Sequence, residues 1–175
     1  MKLLRIFSSL ALLIALGFVG YHYLTDTQIT QDKQTVIDRT PLVIHHSNYN
    51  QEDQKFLEVV RKSILETRKV IDKLEVEILD AENNDEPTEA QDSMDDARKQ
   101  LLYQWNNIHN GYIPKDPSLQ QLKTSYESIL DQYRQGLMIE MDALENATTS
   151  QMKDGYQITT QARSDLQQLS KEISK

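Results

Sequence analysis

The sequence predicts an all-α protein: an N-terminal transmembrane helix, a linker, and an elongated antiparallel bundle of three, or four, helices. Three observations carry that expectation. Residues 6–25 hold no formal charge when His22 is neutral. After Asn50, apolar residues recur three and four positions apart, the period of a helix with one buried face. Breakers then divide that pattern at Pro87 and again at Gly111, Pro114 and Pro117.

Residues 1–25 read as a cytoplasmic tip and a signal-anchor. At roughly 1.5 Å per residue, a helix over residues 6–25 matches a hydrocarbon core of ~30 Å. Lys2 and Arg5 precede the apolar run, Tyr21, His22 and Tyr23 close it, and Asp26 is the first charge beyond. The positive-inside rule then puts the N-terminus in the cytoplasm and the remaining chain outside, as a single-pass protein of the cell membrane. Ala15 and Gly17 would also suit signal-peptide cleavage before Phe18. The apolar character continues to Leu24, which favours the uncleaved anchor.

Residues 26–49 read as a linker. Pro41 interrupts any helix there, and Leu42-Val43-Ile44 favours an extended segment. Residues 50–175 form the expected bundle. Asn50 caps a helix over about 51–83, with Asp53 at the capping-box position. Its seam is Leu57, Val60, Ile64, Ile71, Leu74 and Ile78, with Phe56, Val59 and Val70 in a second row. Thr88, with Gln91 three residues on, caps a helix over about 88–110, whose seam is Ala90, Met94, Ala97, Leu101, Trp105 and Ile108. Asp116 and Pro117 start a third helix over about 117–174. Its seam runs Leu119, Leu122, Tyr126, Ile129, Tyr133, Leu137, Met141 and Leu144, then Ile158, Ala162, Leu166, Leu169 and Ile173. The polar stretch 146–150 marks a break that would give a fourth helix. The phase of the seam survives it, no proline occurs and Gly155 is misplaced for a stop, so one long helix is preferred.

Charge and composition exclude several functions. Net charge is -8; without Lys2 and Arg5, 17 basic residues face 27 acidic ones, a net of -10. Such a surface repels phosphate backbones, so no nucleic acid is expected as a partner. The chain has no cysteine, which removes disulfides, thiolate metal sites and cysteine nucleophiles. Asp80, Glu82, Asp85, Glu86, Glu89, Asp92, Asp95 and Asp96 precede the first basic residue, Arg98. An EF-hand loop begun at Asp80 would need Gly and Glu where Asp85 and Gln91 stand, so the run reads as a solvated hairpin tip. His22, His45, His46 and His109 have no ligand spacing, and no cofactor is expected.

No nucleophile elbow, phosphate-binding loop or carboxylate pair is present, so the chain reads as no enzyme. Trp105, Tyr126 and Tyr133 fall on the seams and read as core. Tyr103 and Tyr112, with Asn106 and Asn107, make the candidate surface patch. The layout predicts a membrane-anchored, extracytoplasmic, non-enzymatic interaction protein, a scaffold or accessory subunit of a cell-envelope complex. Its expected partners are the membrane, through the N-terminal helix, and another protein or further copies of itself. An extracytoplasmic ligand- or cation-sensing bundle is the alternative. Layout alone does not establish either function.

Overall fold

Asn50 opens the first helix as its spacing predicts. The computed structural model describes residues 49–174. The side-chain carbonyl of Asn50 accepts from the backbone N–H groups of Glu52 and Asp53 at 2.9 and 2.8 Å, satisfying donors that a helix start leaves free. Helix α1 then runs Gln51–Asn84. Its 34 residues make it about 51 Å long. Helices α2 (Pro87–His109), α3 (Pro117–Asn146) and α4 (Thr149–Glu172) complete an up-down-up-down bundle, and the described residues contain no strand.

Each helix buries the stripe that its period marks. Val60, Ile64, Ile71 and Leu74 of α1 meet Met94, Leu101 and Ile108 of α2. Leu122, Ile129 and Leu137 of α3 and Ala162, Leu166 and Leu169 of α4 fill the other half of one core. Consecutive helices pack together, and the α3–α4 contact is the most extensive. The α1–α4 contact is the lighter one, and long polar side chains bridge it. Arg61 donates from Nε and Nη2 to the carbonyl of Ile173 at 3.1 and 2.7 Å, and Arg163 pairs with Asp72 and Glu75.

One buried polar knot ties the bundle diagonally. Tyr126 of α3 is fully buried, and its hydroxyl lies 2.9 Å from Ser63 Oγ and 2.7 Å from Thr67 Oγ1 of α1. Ser63 in turn donates to Gln104 of α2 at 2.7 Å. Three helices therefore share one satisfied network.

The fit of α3 to α4 depends on two glycines. A Cβ on Gly136 would lie 2.6 Å from Thr159 Cγ2 and 3.0 Å from the Gly155 carbonyl oxygen. One on Gly155 would lie 2.9 Å from both the Glu140 nitrogen and the Gly136 carbonyl oxygen. Gly136, Glu140 and Ala143 occupy one face of α3, and Gly155, Thr159 and Ala162 the facing stripe of α4; all six are buried. Here the backbones touch, and no side chain fits between them.

Several expectations are corrected. The long third helix is two helices. Ala147 takes a left-handed conformation at φ 52°, its N–H reaches back towards Ala143 and Leu144, and Thr148 N–H bonds the Ala143 carbonyl at 2.9 Å. The α1–α2 turn repeats the device, with Asp85 at φ 59° and Glu86 N–H on the Ala81 carbonyl at 2.8 Å. Both are helix stops usually made by glycine, here made by other residues. Helix α2 begins at Pro87, not with Thr88 as its cap, and the Glu86 side chain at the N-cap bonds none of the helix's first backbone N–H groups. Gln91 instead donates to the Met141 carbonyl of α3 at 3.3 Å.

The membrane architecture is also corrected. Among the described residues no helix is long and apolar enough to cross a membrane. Polar and charged residues share each helix with its buried stripe, so each helix is apolar along one face only. The structure supports an all-α four-helix domain. It does not support the transmembrane fold class, the membrane as a partner, the cell-membrane and extracytoplasmic placement, or the membrane-anchored function inferred from them. The anchor was placed on residues 1–25, and with most of the expected linker these lie outside the described residues. Tyr49, placed at the linker's end, packs into the bundle, with its hydroxyl 3.1 Å from Ser118 Oγ.

Candidate functional site

The end of the bundle where α1 starts and α2 stops carries a groove on its outer surface. Phe56 of α1, Ile108 of α2 and Tyr112 of the following loop floor it, enclosing about 310 Å³. Glu52, Lys55 and Val59 line one wall, and Asn107 and Gly111 the other. Their spacing explains the arrangement. Glu52, Phe56 and Val59 stand four and three residues apart and share a face of α1, while Asn107 lies in the last turn of α2 and Gly111 in the loop just beyond it.

The loop is held from several sides. Asp53, 3% exposed, accepts from Asn50 Nδ2 at 2.7 Å and from the backbone N–H of Lys115 at 3.2 Å. Gln120 Nε2 donates to the Pro114 carbonyl at 2.9 Å, and Lys123 Nζ to the His109 carbonyl at 3.0 Å. Replacing Asp53 with alanine removes the bonds from the Lys115 backbone N–H and from the Asn50 side-chain amide. Urea denaturation should show a loss of about 2 kcal/mol, and the amides of residues 110–116 should lose definition in NMR spectra.

The four residues singled out from the sequence divide between two surroundings. Asn107 and Tyr112 line the groove. Tyr103 is 64% exposed and lies one turn before Asn107 on the same face of α2; Asn106 is exposed beside it. Tyr112 is not a free surface ring. It packs on the core, 6.4 Å from the ring of Phe56 in a tilted contact, and its hydroxyl is enclosed without a hydrogen bond of good geometry. Desolvation, then the Asp53 and Glu52 carboxylates, raise its pKa, so the hydroxyl stays neutral.

Phe56, Val59, Ile108 and Lys55 were not singled out as one site. Phe56 and Ile108 read as seam residues, and only the antiparallel pairing of α1 with α2 brings them beside Tyr112. The signal that could have marked the site is Val59, a large apolar residue one step outside the main seam. It is 51% exposed at the groove's edge, and Ile113, in the loop that carries Tyr112, is 71% exposed.

Other chemistry-bearing residues are brought together less fully. The Trp105 and His109 rings stack at 4.1 Å, and His109 Nδ1 lies 3.5 Å from Glu127 Oε1. At the hairpin tip a hydrogen bond with Glu89, then its charge, raise the pKa of Glu86. Asp95 is bonded by Lys99 and Arg98, which lower its pKa. No group of three or more His, Asp or Glu among the described residues is placed to hold a metal ion. Comparison with protein-family models, curated proteins and solved structures finds no match to this chain.

Proposed function

We propose that this domain is a non-enzymatic binding module that takes an amphipathic helix of a partner protein into the α1–α2 groove. The observation that carries this reading is the groove itself, about 310 Å³ with an apolar floor, beside Val59 at 51% and Ile113 at 71% exposure. Fully burying an exposed Val or Ile side chain contributes about 1.5–3 kcal/mol, and the exposed parts of Val59 and Ile113 each supply a fraction of that beside a preformed groove. A channel between two antiparallel helices accepts side chains spaced three and four apart on a third. Glu52 and Lys55 on the α1 wall carry opposite charges, which suits a helix whose apolar stripe is flanked by both signs.

The test uses the full chain and two synthetic helical peptides. One carries Leu or Phe at i, i+4 and i+7 between Lys and Glu; the other has the same composition scrambled. The patterned peptide should shift the amide resonances of residues 52–59 and 107–113, and the scrambled one should not. Replacing both Val59 and Ile113 with Asp should weaken binding at least roughly tenfold while leaving the melting temperature unchanged, because both side chains are exposed. Equal shifts from both peptides, or shifts confined to other helices, would overturn the proposal.

A further inference from the structure

Glu140 is an acid buried where the helices come closest. It is 5% exposed, on the stripe of α3 that meets Gly155 and Thr159 of α4. Thr159 Oγ1 donates to its Oε1 at 2.8 Å, and no lysine or arginine among the described residues pairs with it. Tyr133 of α3, Tyr156 of α4 and Asp72 of α1 are the titratable groups that share the electrostatic surroundings of this crossing. Glu140, Asp72 and Tyr156 add to the burial that raises the pKa of Tyr133. Asp72 is itself paired with Arg163. Helix α2 meets this end of α3 through the uncharged Gln91, on the Met141 carbonyl. Nothing on the four helices supplies a cation to a carboxylate at Glu140.

We propose that the α3–α4 crossing is a proton-operated joint, closed when Glu140 carries its proton and loosened when the carboxylate ionises. An ionised carboxylate needs a cation or water. The close Gly136–Gly155 contact keeps Glu140 at 5% exposure, so hydrating an ionised carboxylate more fully requires the two helices to part. Helix α4 is the element such a parting would displace, since it packs closely on α3 and only lightly on α1. A two-residue turn, Ala147-Thr148, joins it to α3, and the long side chains of Arg61 and Arg163 bridge it to α1.

Burial pushes the Glu140 carboxyl up from 4.5 to about 7, against the opposing effect of the Thr159 hydrogen bond. A raised acid stabilises the closed form fully below 4.5, and that contribution is lost as pH rises through about 7. The joint therefore loosens on the alkaline side of neutrality.

Because the chain has no cysteine, spin labels can be placed at Met138→Cys on α3 and Thr160→Cys on α4, both exposed positions. At pH 5.5 the label distance should be narrow; at pH 8.5 it should lengthen and broaden. Glu140→Gln, which can still accept from Thr159, should keep the narrow distribution at both pH values. Amides of α4, corrected for intrinsic rates, should exchange roughly tenfold faster in the parent chain than in this variant at pH 8.5, and equally at pH 5.5. Thr159→Val removes the bond that favours the ionised form, so the opening should move to higher pH. Identical distances at both pH values, an equal shift in Glu140→Gln, or an opening in Thr159→Val that stays put or moves to lower pH would overturn the proposal.

Discussion

Replacing Gly155 with leucine is expected to destabilise the domain by about 3 kcal/mol, the upper end of the usual cost of overpacking. A new Cβ would meet the Glu140 nitrogen and the Gly136 carbonyl oxygen, both at 2.9 Å. These are backbone atoms, so no rotamer change relieves the clash. The helices must separate, and the packing on either side of the crossing goes with them. Gly155→Ala is the sharper test because its sign is diagnostic. In an exposed helix interior, glycine to alanine stabilises by roughly 1 kcal/mol. Here the same change should lower the urea midpoint. Gly136→Ala should lower it as well, because its new Cβ would lie 2.6 Å from Thr159 Cγ2 and 3.0 Å from both the Gly155 carbonyl oxygen and the Thr159 nitrogen. A raised midpoint in Gly155→Ala would show that the helices are not in backbone contact.

Replacing Tyr126 with alanine should cost about 4–5 kcal/mol, close to the whole stability of a small domain. The ring is fully buried between diagonal helices, so its removal leaves a cavity at the centre of the bundle. It also takes a hydrogen-bond partner from Ser63 and Thr67. Tyr126→Phe separates the two effects. The ring stays, only the hydroxyl goes, and the expected loss is about 1–2 kcal/mol. Ser63 keeps its bond to Gln104, so Thr67 carries most of that loss. Burial pushes the Tyr126 hydroxyl up to about 12, so it remains a neutral hydrogen-bonding group. A double-mutant cycle of Tyr126→Phe with Thr67→Val, followed by urea denaturation, measures the bond directly. A coupling near zero would remove the diagonal tie from the account of stability.

The helix stripes were legible because burial on one face imposes a period that any sequence must obey. The starts at Asn50 and Asp116 were legible for a similar reason. Each cap satisfies backbone donors within three residues, and Asp116 does so for Ser118 and Leu119. The stops were not. Asp85 and Ala147 adopt a conformation that glycine marks in most sequences, and here no glycine signals it. Continuity of the seam from Leu144 to Ala162 therefore suggested one helix where the chain reverses. The reversal preserves the seam because both helices face the same core.

The candidate site divides along the same line. Asn107 and Tyr112 could be named because they lie close together in sequence. Phe56 and Val59 could not be joined to them, since the contact spans some fifty positions and depends on how α1 sits against α2. Glu140 was legible only as one more acidic residue. Its position four residues after Gly136 becomes informative once Gly155 and Thr159 are opposite.

The linear pattern alone specifies an acidic, cysteine-free, all-helical domain with its buried stripes and its capped starts, because these depend on interactions within a few residues. The tertiary structure decided the number of helices, the groove between α1 and α2, and the burial of an acid at the α3–α4 crossing. Each of these depends on backbones approaching from distant parts of the chain. It is the closeness of that approach, set by Gly136 and Gly155, that turns an ordinary glutamate into a buried acid.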